Sequence, residues 1–397
     1  MKMYNLVFII LILMLIIPDI FFYFKLRNNK SKPVFIVLHL MGVLFFSSIF
    51  VYIKFGMESS QNFRIVVWIM WFYYLFLLIY IPKIIHITFY FLNYLFKKKF
   101  KRDTLYFDKI RIAITVFVIV IMLVGAFVTP NNFDVIKTEL QIKDLPKAFD
   151  GYRIIQLSDI HLGSWGREYG KMKKIVRLVN KQQPDIIVFT GDMVNNYAEE
   201  MIGWKPVFSG FDRKCPKYAV TGNHDYGDYT DWKTEDDKKQ NRLKINQTIT
   251  DFGFRLLLNE HIYLKKGNDS LLLAGVENWG KTNQSRYCDL KKALSGSKPG
   301  EPKILLSHDP DHGAEEVIGR EDIVLTLSGH THAAQLGVKI GNRLFSPDAF
   351  VFKYWVGLYH HVDQYLYVNK GLGYIGLPMQ IGVRPEITLI ILRTKQE

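Results

Sequence analysis

The sequence predicts an α/β domain preceded by an all-α bundle of transmembrane helices. Hydropathy divides the 397-residue chain near residue 130, and short apolar runs in the second part end at polar motifs. Residues 169–180, between two such runs, have apolar side chains at helical spacing. A strand, a polar loop, a helix and a second strand in this order indicate a parallel or mixed sheet with helices packed on it. We therefore assign residues 1–130 to a membrane anchor and residues 131–397 to a globular domain.

Four stretches of the first part are apolar enough to cross a bilayer, which takes about 20 residues each. They are residues 4–24, 33–53, 63–81 and 110–128. Aromatic residues lie at several of their ends, as is typical of a membrane interface. We interpret the first stretch as a retained helix, because its apolar core exceeds the roughly 7–15 residues of a secretory signal. Asp19 is interpreted as an interfacial residue at the end of that helix.

Basic residues in the connections predict how the chain crosses the membrane. Residues 25–32 carry four of them and residues 97–102 carry five, whereas residues 54–64 carry two. Because basic connections stay in the cytoplasm, four crossings would place the globular domain outside the cytoplasm. Residues 84–96 are also apolar but short for a span, and we interpret them as an extension of the third helix, bent at Pro82. A separate crossing there would reverse the orientation.

Five polar motifs follow apolar runs in the globular domain. They are Asp159-Ile160-His161, Gly191-Asp192, Gly222-Asn223-His224-Asp225, Ser307-His308 and Gly329-His330-Thr331-His332. Loops at strand ends carry the sites of α/β scaffolds, so these side chains are expected to lie together. Their carboxylate, amide and imidazole groups suit hard or borderline divalent cations. Cys215 and Cys288 lie outside every motif, which argues against structural zinc and favours a hydrolytic site.

A pair of cations about 3.5–4 Å apart needs a shared anionic ligand. Asp192 is the candidate, because a single carboxylate in a tight Gly-Asp turn suits that role. The cations could hold a water between them whose pKa falls toward ~7, giving a hydroxide at neutral pH. Such a hydroxide, aimed in line at phosphorus, needs charge neutralisation and a proton for the leaving oxygen.

The order of the five motifs resembles that of the calcineurin-like metallophosphoesterase superfamily. Residues 149–155 and 158–163, with 369–373 and 384–387 near the end of the chain, are similar to its bacterial membrane-linked branch. The likeness extends from about residue 134 to residue 397. It implies a four-layer α/β fold, in which two packed mixed β-sheets are flanked by helices.

The resemblance also implies the metal ligands. Asp192 would bridge two divalent metal ions, and the first metal would be held by one trio of side chains and the second by another. These trios are Asp159, His161 and His332, and Asn223, His308 and His330. Nitrogen and oxygen ligands favour Mn²⁺, with Fe²⁺, Zn²⁺ or Mg²⁺ as alternatives.

Two further residues receive catalytic roles from the resemblance. His224 would protonate the leaving group or stabilise charge on the phosphoryl oxygens. Asp225 would orient His224. At one position the sequence departs from the pattern, because Gln380 stands where this branch often has an arginine that contacts the substrate phosphate.

These features predict a membrane-anchored dinuclear-metal phosphoesterase that hydrolyses phosphate ester or pyrophosphate bonds of envelope or lipid-linked substrates. An alternative is the UDP-2,3-diacylglucosamine pyrophosphatase of lipid A biosynthesis, although that substrate is made on the cytoplasmic side. An alternative of another class is a non-catalytic metal-binding membrane scaffold or sensor, which the presence of Asn223 and His224 disfavours. Transport is disfavoured because charged pairs are scarce in the apolar stretches.

Charge and composition point to the same partners. Much of the net charge of +14 lies beside the apolar stretches, where basic residues attract anionic lipid. The expected partners are therefore the lipid bilayer and a phosphorylated small-molecule or lipid-linked substrate, and nucleic acid is not expected. The protein is predicted to be an integral protein of the cell membrane. Residues 226–244, which are strongly polar, are either a mobile rim over the site or a solvated insertion.

Overall fold

The structure is a computed structural model that describes residues 2–27, 33–53, 63–101, 105–280, 286–319, 322–341 and 343–395. Its internal contacts divide the chain into two compact units. The first comprises Met1–Ser60 and Trp68–Val124, and the second comprises Gln61–Val67 and Gly125–Glu397.

Long apolar helices dominate the N-terminal region. They are α1 (Lys2–Arg27), α2 (Pro33–Val51), α3 (Phe63–Phe100) and α4 (Leu105–Phe127). Among the described residues, three stretches are long and apolar enough to cross a membrane, namely Val7–Lys25, Arg64–Phe100 and Tyr106–Asn131. A shorter apolar stretch, Ile36–Val51, lies in α2. The four predicted spans thus correspond to four helices, of which the second is the shortest.

Residues 84–96 belong to α3. This helix continues past Pro82 to Phe100, although a proline removes one backbone donor from a helix interior. The apolar residues after Pro82 therefore extend the third helix, as the sequence predicted, and do not begin a new one.

Asp19 does not mark a helix end, and that prediction is wrong. Helix α1 continues to Arg27, and the Asp19 side chain is buried between helices. His39 Nδ1 and Lys83 Nζ lie 2.7 and 2.6 Å from Asp19 Oδ1. The Tyr80 hydroxyl donates to Asp19 Oδ2 at 2.6 Å. Donors from α2 and α3 therefore hold this carboxylate inside the helix bundle.

The second unit is built from strands and shorter helices. Its strands are β1 (Asp134–Ile142), β2 (Arg153–Leu157), β3 (Ile186–Thr190), β4 (Lys217–Val220), β5 (Arg255–Leu256), β6 (Glu260–Lys266), β7 (Asp269–Gly275), β8 (Lys303–Leu306), β9 (Ile323–Ser328), β10 (Val338–Ile340), β11 (Arg343–Phe345), β12 (Gly357–His361), β13 (Gln364–Val368) and β14 (Glu386–Thr394). Its helices are α5 (Tyr169–Lys181), α6 (Lys205–Phe208), α7 (Glu235–Asp251), α8 (Leu290–Ala293) and α9 (Pro310–His312).

The strands form two mixed sheets and a separate hairpin. The first sheet has the order β1-β14-β2-β3-β4-β5, in which β2 to β5 run parallel and β14 runs antiparallel to β2. The second has the order β12-β13-β9-β8-β7-β6, with parallel central strands and antiparallel edge strands β12 and β6. Among the described residues, strands β10 and β11 form a separate two-stranded sheet. The mixed sheets predicted from the resemblance are confirmed.

The two sheets pack face to face through one apolar core. Val188 and Val220 of the first sheet belong to the same buried cluster as Leu273, Leu306 and Leu327 of the second. Burying one such side chain fully stabilises the fold by about 1.5–3 kcal/mol. Because side chains alternate along a strand, the second sheet also has an outer apolar face. There Leu272 and Leu305 pack with Ala293 of α8.

Candidate metal centre

The five motifs lie at the carboxyl ends of strands from both sheets. Loops after β2, β3 and β4 carry the first three, and loops after β8 and β9 carry the other two. Parallel neighbouring strands end at the same edge of a sheet, so these loops meet. The structure brings the predicted ligands into two groups that share one carboxylate. The residues are Asp159, His161, Asp192, Asn223, His308, His330 and His332.

The first group is formed by Asp159, His161 and His332. His161 Nε2 lies 3.0 Å from His332 Nε2, and His332 Nε2 lies 3.3 Å from Asp159 Oδ1. All three side chains are buried. One carboxylate and two imidazoles with converging ligand atoms could hold a divalent cation.

The second group is formed by Asn223, His308 and His330. Asn223 Oδ1 lies 2.9 Å from His308 Nε2 and also 2.9 Å from His330 Nδ1. Asp192 connects the two groups, because its Oδ2 lies 3.2 Å from His308 Nε2 and 3.7 Å from His161 Nε2. A shared carboxylate between two cations would occupy this position.

The hydrogen bonds of His308 and Asn223 direct acceptor atoms of the second group toward the place of a cation. His308 Nδ1 donates to the Thr190 carbonyl oxygen at 2.8 Å, so the neutral ring presents a lone pair at Nε2. The Asn223 amide donates to the Tyr229 hydroxyl at 2.8 Å, which leaves Asn223 Oδ1 facing the histidines. When His308 is neutral, its Nε2 is therefore an acceptor that approaches two others, Asn223 Oδ1 and Asp192 Oδ2. A positive charge between them would remove their mutual repulsion.

Charges in the site shift the pKa values of these groups. Burial disfavours a proton on His308, but the Asp192 and Asp159 carboxylates outweigh it and raise the pKa of His308 to about 10. Burial likewise disfavours ionised Asp192, yet His308 and His224 keep the pKa of this carboxyl well below its usual range. A proton on His308 thus competes with a cation for the same place, so metal binding would release protons.

Backbone conformation supports a functional role for the motif loops. Non-glycine residues with positive φ are uncommon, and such strain clusters at functional sites. Five predicted ligands have this conformation. They are Asp159 (φ 51°), His161 (51°), Asp192 (62°), His330 (76°) and His332 (53°).

Glycines in the motifs allow the loops to approach closely. Gly191 has φ of 98°, and a Cβ there would lie 2.6 Å from the Gly222 nitrogen and 2.7 Å from His308 Nδ1. A Cβ on Gly222 would overlap Asp192 Oδ1 and lie 2.7 Å from His308 Nδ1. Any larger residue at either position would therefore displace Asp192 or His308.

The predicted role of Asp225 differs from what the structure shows. Its carboxylate accepts hydrogen bonds from four backbone N–H groups. The donors are Asp192 (2.9 Å), Met193 (2.9 Å), Val194 (3.3 Å) and Gly222 (2.9 Å). These bonds join the loop after β3 to the loop after β4. Asp225 therefore positions the backbone that carries Asp192, and the prediction that it orients the His224 ring is wrong.

His224 is oriented by groups that the motifs do not contain. Its Nδ1 donates to the Asn195 carbonyl oxygen at 2.7 Å. Its ring stacks on Tyr229, with centroids 4.4 Å apart, and meets the His161 ring edge-on at 5.0 Å. Burial lowers the pKa of His224, although the Asp192 charge opposes this shift. The His224 backbone N–H also donates to Asp192 Oδ1 at 3.0 Å, so His224 lies beside the first group and beside the carboxylate that connects the two groups.

Sequence reasoning missed Asn195, Tyr229 and Glu200. Asn195 acts through its backbone carbonyl, which no side-chain pattern reveals. Tyr229 lies in the polar segment 226–244, and its contacts with Asn223 and His224 show that this part of the segment packs against the site. The buried Glu200 carboxylate accepts backbone N–H bonds from Gly163 and from residues 195–197, so it fixes the loop that orients His224.

Gln380 lies inside the fold. Its side chain is buried and its Nε2 donates to the Gly373 carbonyl oxygen at 2.9 Å. The residue at this position therefore supports a loop backbone, in place of the phosphate contact that the resemblance implied for an arginine.

Comparison with known proteins agrees with this geometry. Residues 152–334 match the family model described as calcineurin-like phosphoesterase. A zebrafish (Danio rerio) protein named "Transmembrane protein with metallophosphoesterase domain" is 33% identical over 70% of this chain and 61% of its own length. The chain thus spans about three fifths of that relative.

The match to two bacterial relatives extends over nearly their whole length. The uncharacterized metallophosphoesterase YkuE of Bacillus subtilis is 27% identical over 68% of this chain and 88% of its own length. The protein named phosphodiesterase YaeI of Escherichia coli is 27% identical over 66% of this chain and 89% of its own length. Residues 152–334, which include every predicted ligand, therefore form a calcineurin-like phosphoesterase domain.

Proposed function

We propose that this chain is a membrane-anchored dinuclear-metal phosphoesterase that hydrolyses phosphate ester or pyrophosphate bonds of envelope or lipid-linked substrates. The observation that carries the proposal is the position of Asp192, whose Oδ2 lies between His308 Nε2 at 3.2 Å and His161 Nε2 at 3.7 Å. A carboxylate in this position serves two cations at once, which a single-metal site does not require.

Metal ligation would follow the two groups. Asp159, His161 and His332 would hold one cation, and Asn223, His308 and His330 the other. Two such cations would supply a nucleophile at neutral pH and neutralise charge on the phosphoryl oxygens. Mn²⁺ is our preferred metal, because the ligand set combines imidazole nitrogens with carboxylate and amide oxygens.

His224 would give a proton to the leaving oxygen. Hydrogen bonding of Nδ1 to the Asn195 carbonyl holds the ring in one orientation and leaves Nε2 to exchange the proton. Because burial lowers its pKa, His224 needs a phosphoryl anion beside it to become protonated. Asp225 would act indirectly, by fixing the loop of Asp192.

A membrane-linked substrate is supported by the apolar helices and by the similarity to a zebrafish protein that is named as a transmembrane protein. Because α3 is continuous through residues 84–96, the chain would cross four times if α2, whose apolar stretch Ile36–Val51 is the shortest, also spans the membrane. Four crossings would place the site outside the cytoplasm. The competing function, pyrophosphate cleavage of UDP-2,3-diacylglucosamine, requires a cytoplasmic site. A protease-accessibility experiment on spheroplasts therefore distinguishes the two, since only an extracytoplasmic domain is cleaved from outside.

The activity is tested with the full-length protein and a panel of phosphomonoesters, phosphodiesters and lipid pyrophosphates, each with Mn²⁺, Fe²⁺, Zn²⁺ or Mg²⁺. We expect hydrolysis that collapses in Asp192→Asn and falls about 10²–10⁴-fold in His224→Ala. Asp251→Asn, an exposed carboxylate at the end of α7, is the matched control and should keep the parent rate. Equal rates in the parent, Asp192→Asn and His224→Ala would contradict the mechanism.

A further inference from the structure

Large apolar side chains are exposed on the β10–β11 hairpin and on the turn that follows it. We call five of them the hydrophobic rim. They are Val338 (61% exposed), Ile340 (66%), Phe345 (54%), Phe350 (95%) and Val351 (68%). Five large apolar side chains exposed within fourteen residues of sequence are a feature of interaction surfaces.

The pairing of the hairpin puts its apolar residues on one face. Val338 lies opposite Phe345, and Ile340 lies opposite Arg343. Directly opposed residues of an antiparallel pair point to the same side, as do residues two apart along a strand. Val338, Ile340 and Phe345 therefore share one face with Arg343, whereas Leu344 on the other face is half-buried.

The exposed charges of residues 336–341 and 343–353 are basic. Lys339, Arg343 and Lys353 are exposed, whereas the acidic residue of this segment, Asp348, is 7% exposed. Apolar side chains accompanied by lysine and arginine match the surface of an anionic bilayer, which takes up the apolar groups and attracts the cations.

The hairpin is joined to the end of a candidate membrane span. The span Tyr106–Asn131 contains Gly125, whose carbonyl oxygen accepts a hydrogen bond from the Gln380 nitrogen at 2.8 Å. The next residue, Ile381, accepts a hydrogen bond from the Gly337 nitrogen at 2.8 Å, directly before β10. Within the second unit, two backbone hydrogen bonds therefore connect Gly125 to the base of the hairpin through residues 380 and 381.

The same segment also contacts the metal centre. The Ser346 hydroxyl donates to the Ala333 carbonyl at 2.8 Å, and the Thr331 hydroxyl donates to the Trp355 carbonyl at 2.6 Å. The Phe352 ring meets the His330 ring edge-on, with centroids 5.8 Å apart. The segment that carries the hydrophobic rim is therefore attached, through Ser346, Phe352 and Trp355, to the Gly329–His332 motif, whereas the rim residues themselves are exposed.

We propose that the hydrophobic rim inserts into the interface of the anionic bilayer that anchors the chain, and so holds the metal centre against phosphate groups at the lipid surface. The substrate class is then a phosphoester or pyrophosphate whose apolar part remains in the membrane. The assignment of a substrate rests on the proposed function, whereas the bilayer contact does not.

Insertion is tested with the full-length protein in lipid nanodiscs. Single cysteines replace Val338 or Val362 in a chain that also carries Cys215→Ala and Cys288→Ala, and each is labelled with an environment-sensitive fluorophore. Val362 is a matched control, because it is 86% exposed and precedes β13, whose other end faces the site. Spin-labelled acyl chains should quench the label at position 338 and leave the label at position 362 unquenched. Equal quenching at both positions would overturn the proposal.

Function is tested with Ile340→Asp and Phe350→Asp, and with Val362→Asp as control. We expect about a tenfold or greater loss of kcat/KM for a lipid phosphoester in nanodiscs of phosphatidylcholine and phosphatidylglycerol, because an apolar side chain no longer enters the bilayer. Hydrolysis of a water-soluble diester should stay at the parent rate, which also shows that the variants are folded. Equal losses on both substrates would overturn the proposal.

Two further outcomes distinguish the bilayer contact from a protein interface and from the proposed phosphoesterase function. A rim label that is protected only when the protein concentration rises, and that crosslinks to a second copy, would identify a protein interface and overturn the bilayer contact. Quenching of the rim label in a protein that hydrolyses neither substrate would support the contact and contradict the proposed function.

Discussion

The Asp225 carboxylate binds the backbone N–H of Asp192 at 2.9 Å, so one acidic residue fixes the loop that carries another. The bond matters because Asp192 lies between the two groups of predicted ligands. Three more backbone N–H groups donate to the same Asp225 carboxylate. The position of the metal-binding carboxylate of Asp192 therefore depends on a second carboxylate, which is held by backbone hydrogen bonds.

Asp225→Asn is expected to loosen this loop. An amide has one acceptor oxygen, and its NH2 group would face backbone donors, so about half of the four hydrogen bonds should be lost. Each bond to a charged group contributes about 1.5–3 kcal/mol, so losing two of them should lower the free energy of unfolding by about 3–6 kcal/mol. Bound metal per chain, measured by elemental analysis, should fall with it. Full stability together with full metal content would refute this role of Asp225.

Tyr229→Phe separates two contacts of one side chain. The variant removes the hydroxyl that accepts from the Asn223 amide but keeps the ring that stacks on His224. Groups that orient metal ligands in this way typically contribute 10–100-fold to affinity, so Mn²⁺ binding measured by calorimetry should weaken about tenfold. Tyr365→Phe is the control, since its hydroxyl donates to the Gln141 carbonyl of strand β1. An unchanged affinity in Tyr229→Phe would show that Asn223 needs no such support.

The lowered pKa of His312, which lies outside the metal centre, predicts how the free energy of unfolding depends on pH. Burial lowers the pKa of His312 to about 4 from a usual 6.5, and Glu316 and Asp309 oppose the shift only in part. The unfolded chain therefore binds a proton that the folded chain does not bind between these pH values. The free energy of unfolding should fall as the pH drops from 6.5 to 4, by roughly 3 kcal/mol in total.

His312→Gln removes this titration. Thermal unfolding midpoints of the variant should change less between pH 6.5 and pH 4 than those of the parent. His360→Gln, at an exposed position, should keep the parent dependence. If the unfolding midpoint of His312→Gln changes with pH as much as that of the parent, groups other than His312 cause the acid sensitivity.

Much of the site could be predicted from the sequence because its ligands are side chains in motifs that follow apolar strands. Asp159, Asp192 and His308 each come directly after such a run, and parallel pairing brings the strand ends together. The orientation of His224 could not be predicted, because a backbone carbonyl at Asn195 provides it. Asp225 was misassigned for the same reason, since its partners are backbone N–H groups.

Some elements of the fold could likewise be predicted from the sequence, and others could not. The predicted strand over residues 135–142 is the edge strand β1, and the helix over residues 169–180 is α5. The β10–β11 hairpin was not predicted, because its strands are short and its apolar residues are exposed instead of facing a core. The Asp19–Lys83 pair was missed since its members are 64 positions apart, and pairing across helices leaves no local pattern.

The Asp19–Lys83 ion pair predicts that substitutions of these two residues have non-additive effects on the stability of the helix bundle. Removing one member of a buried ion pair leaves the other charge uncompensated, which typically costs about 3–5 kcal/mol. Asp19→Leu or Lys83→Met alone should therefore lower the stability of the bundle strongly. The double variant should recover most of the loss, because two apolar side chains replace two charges. Unfolding of all four proteins in mild detergent gives the coupling energy, and additive losses would show that the 2.6 Å contact contributes nothing.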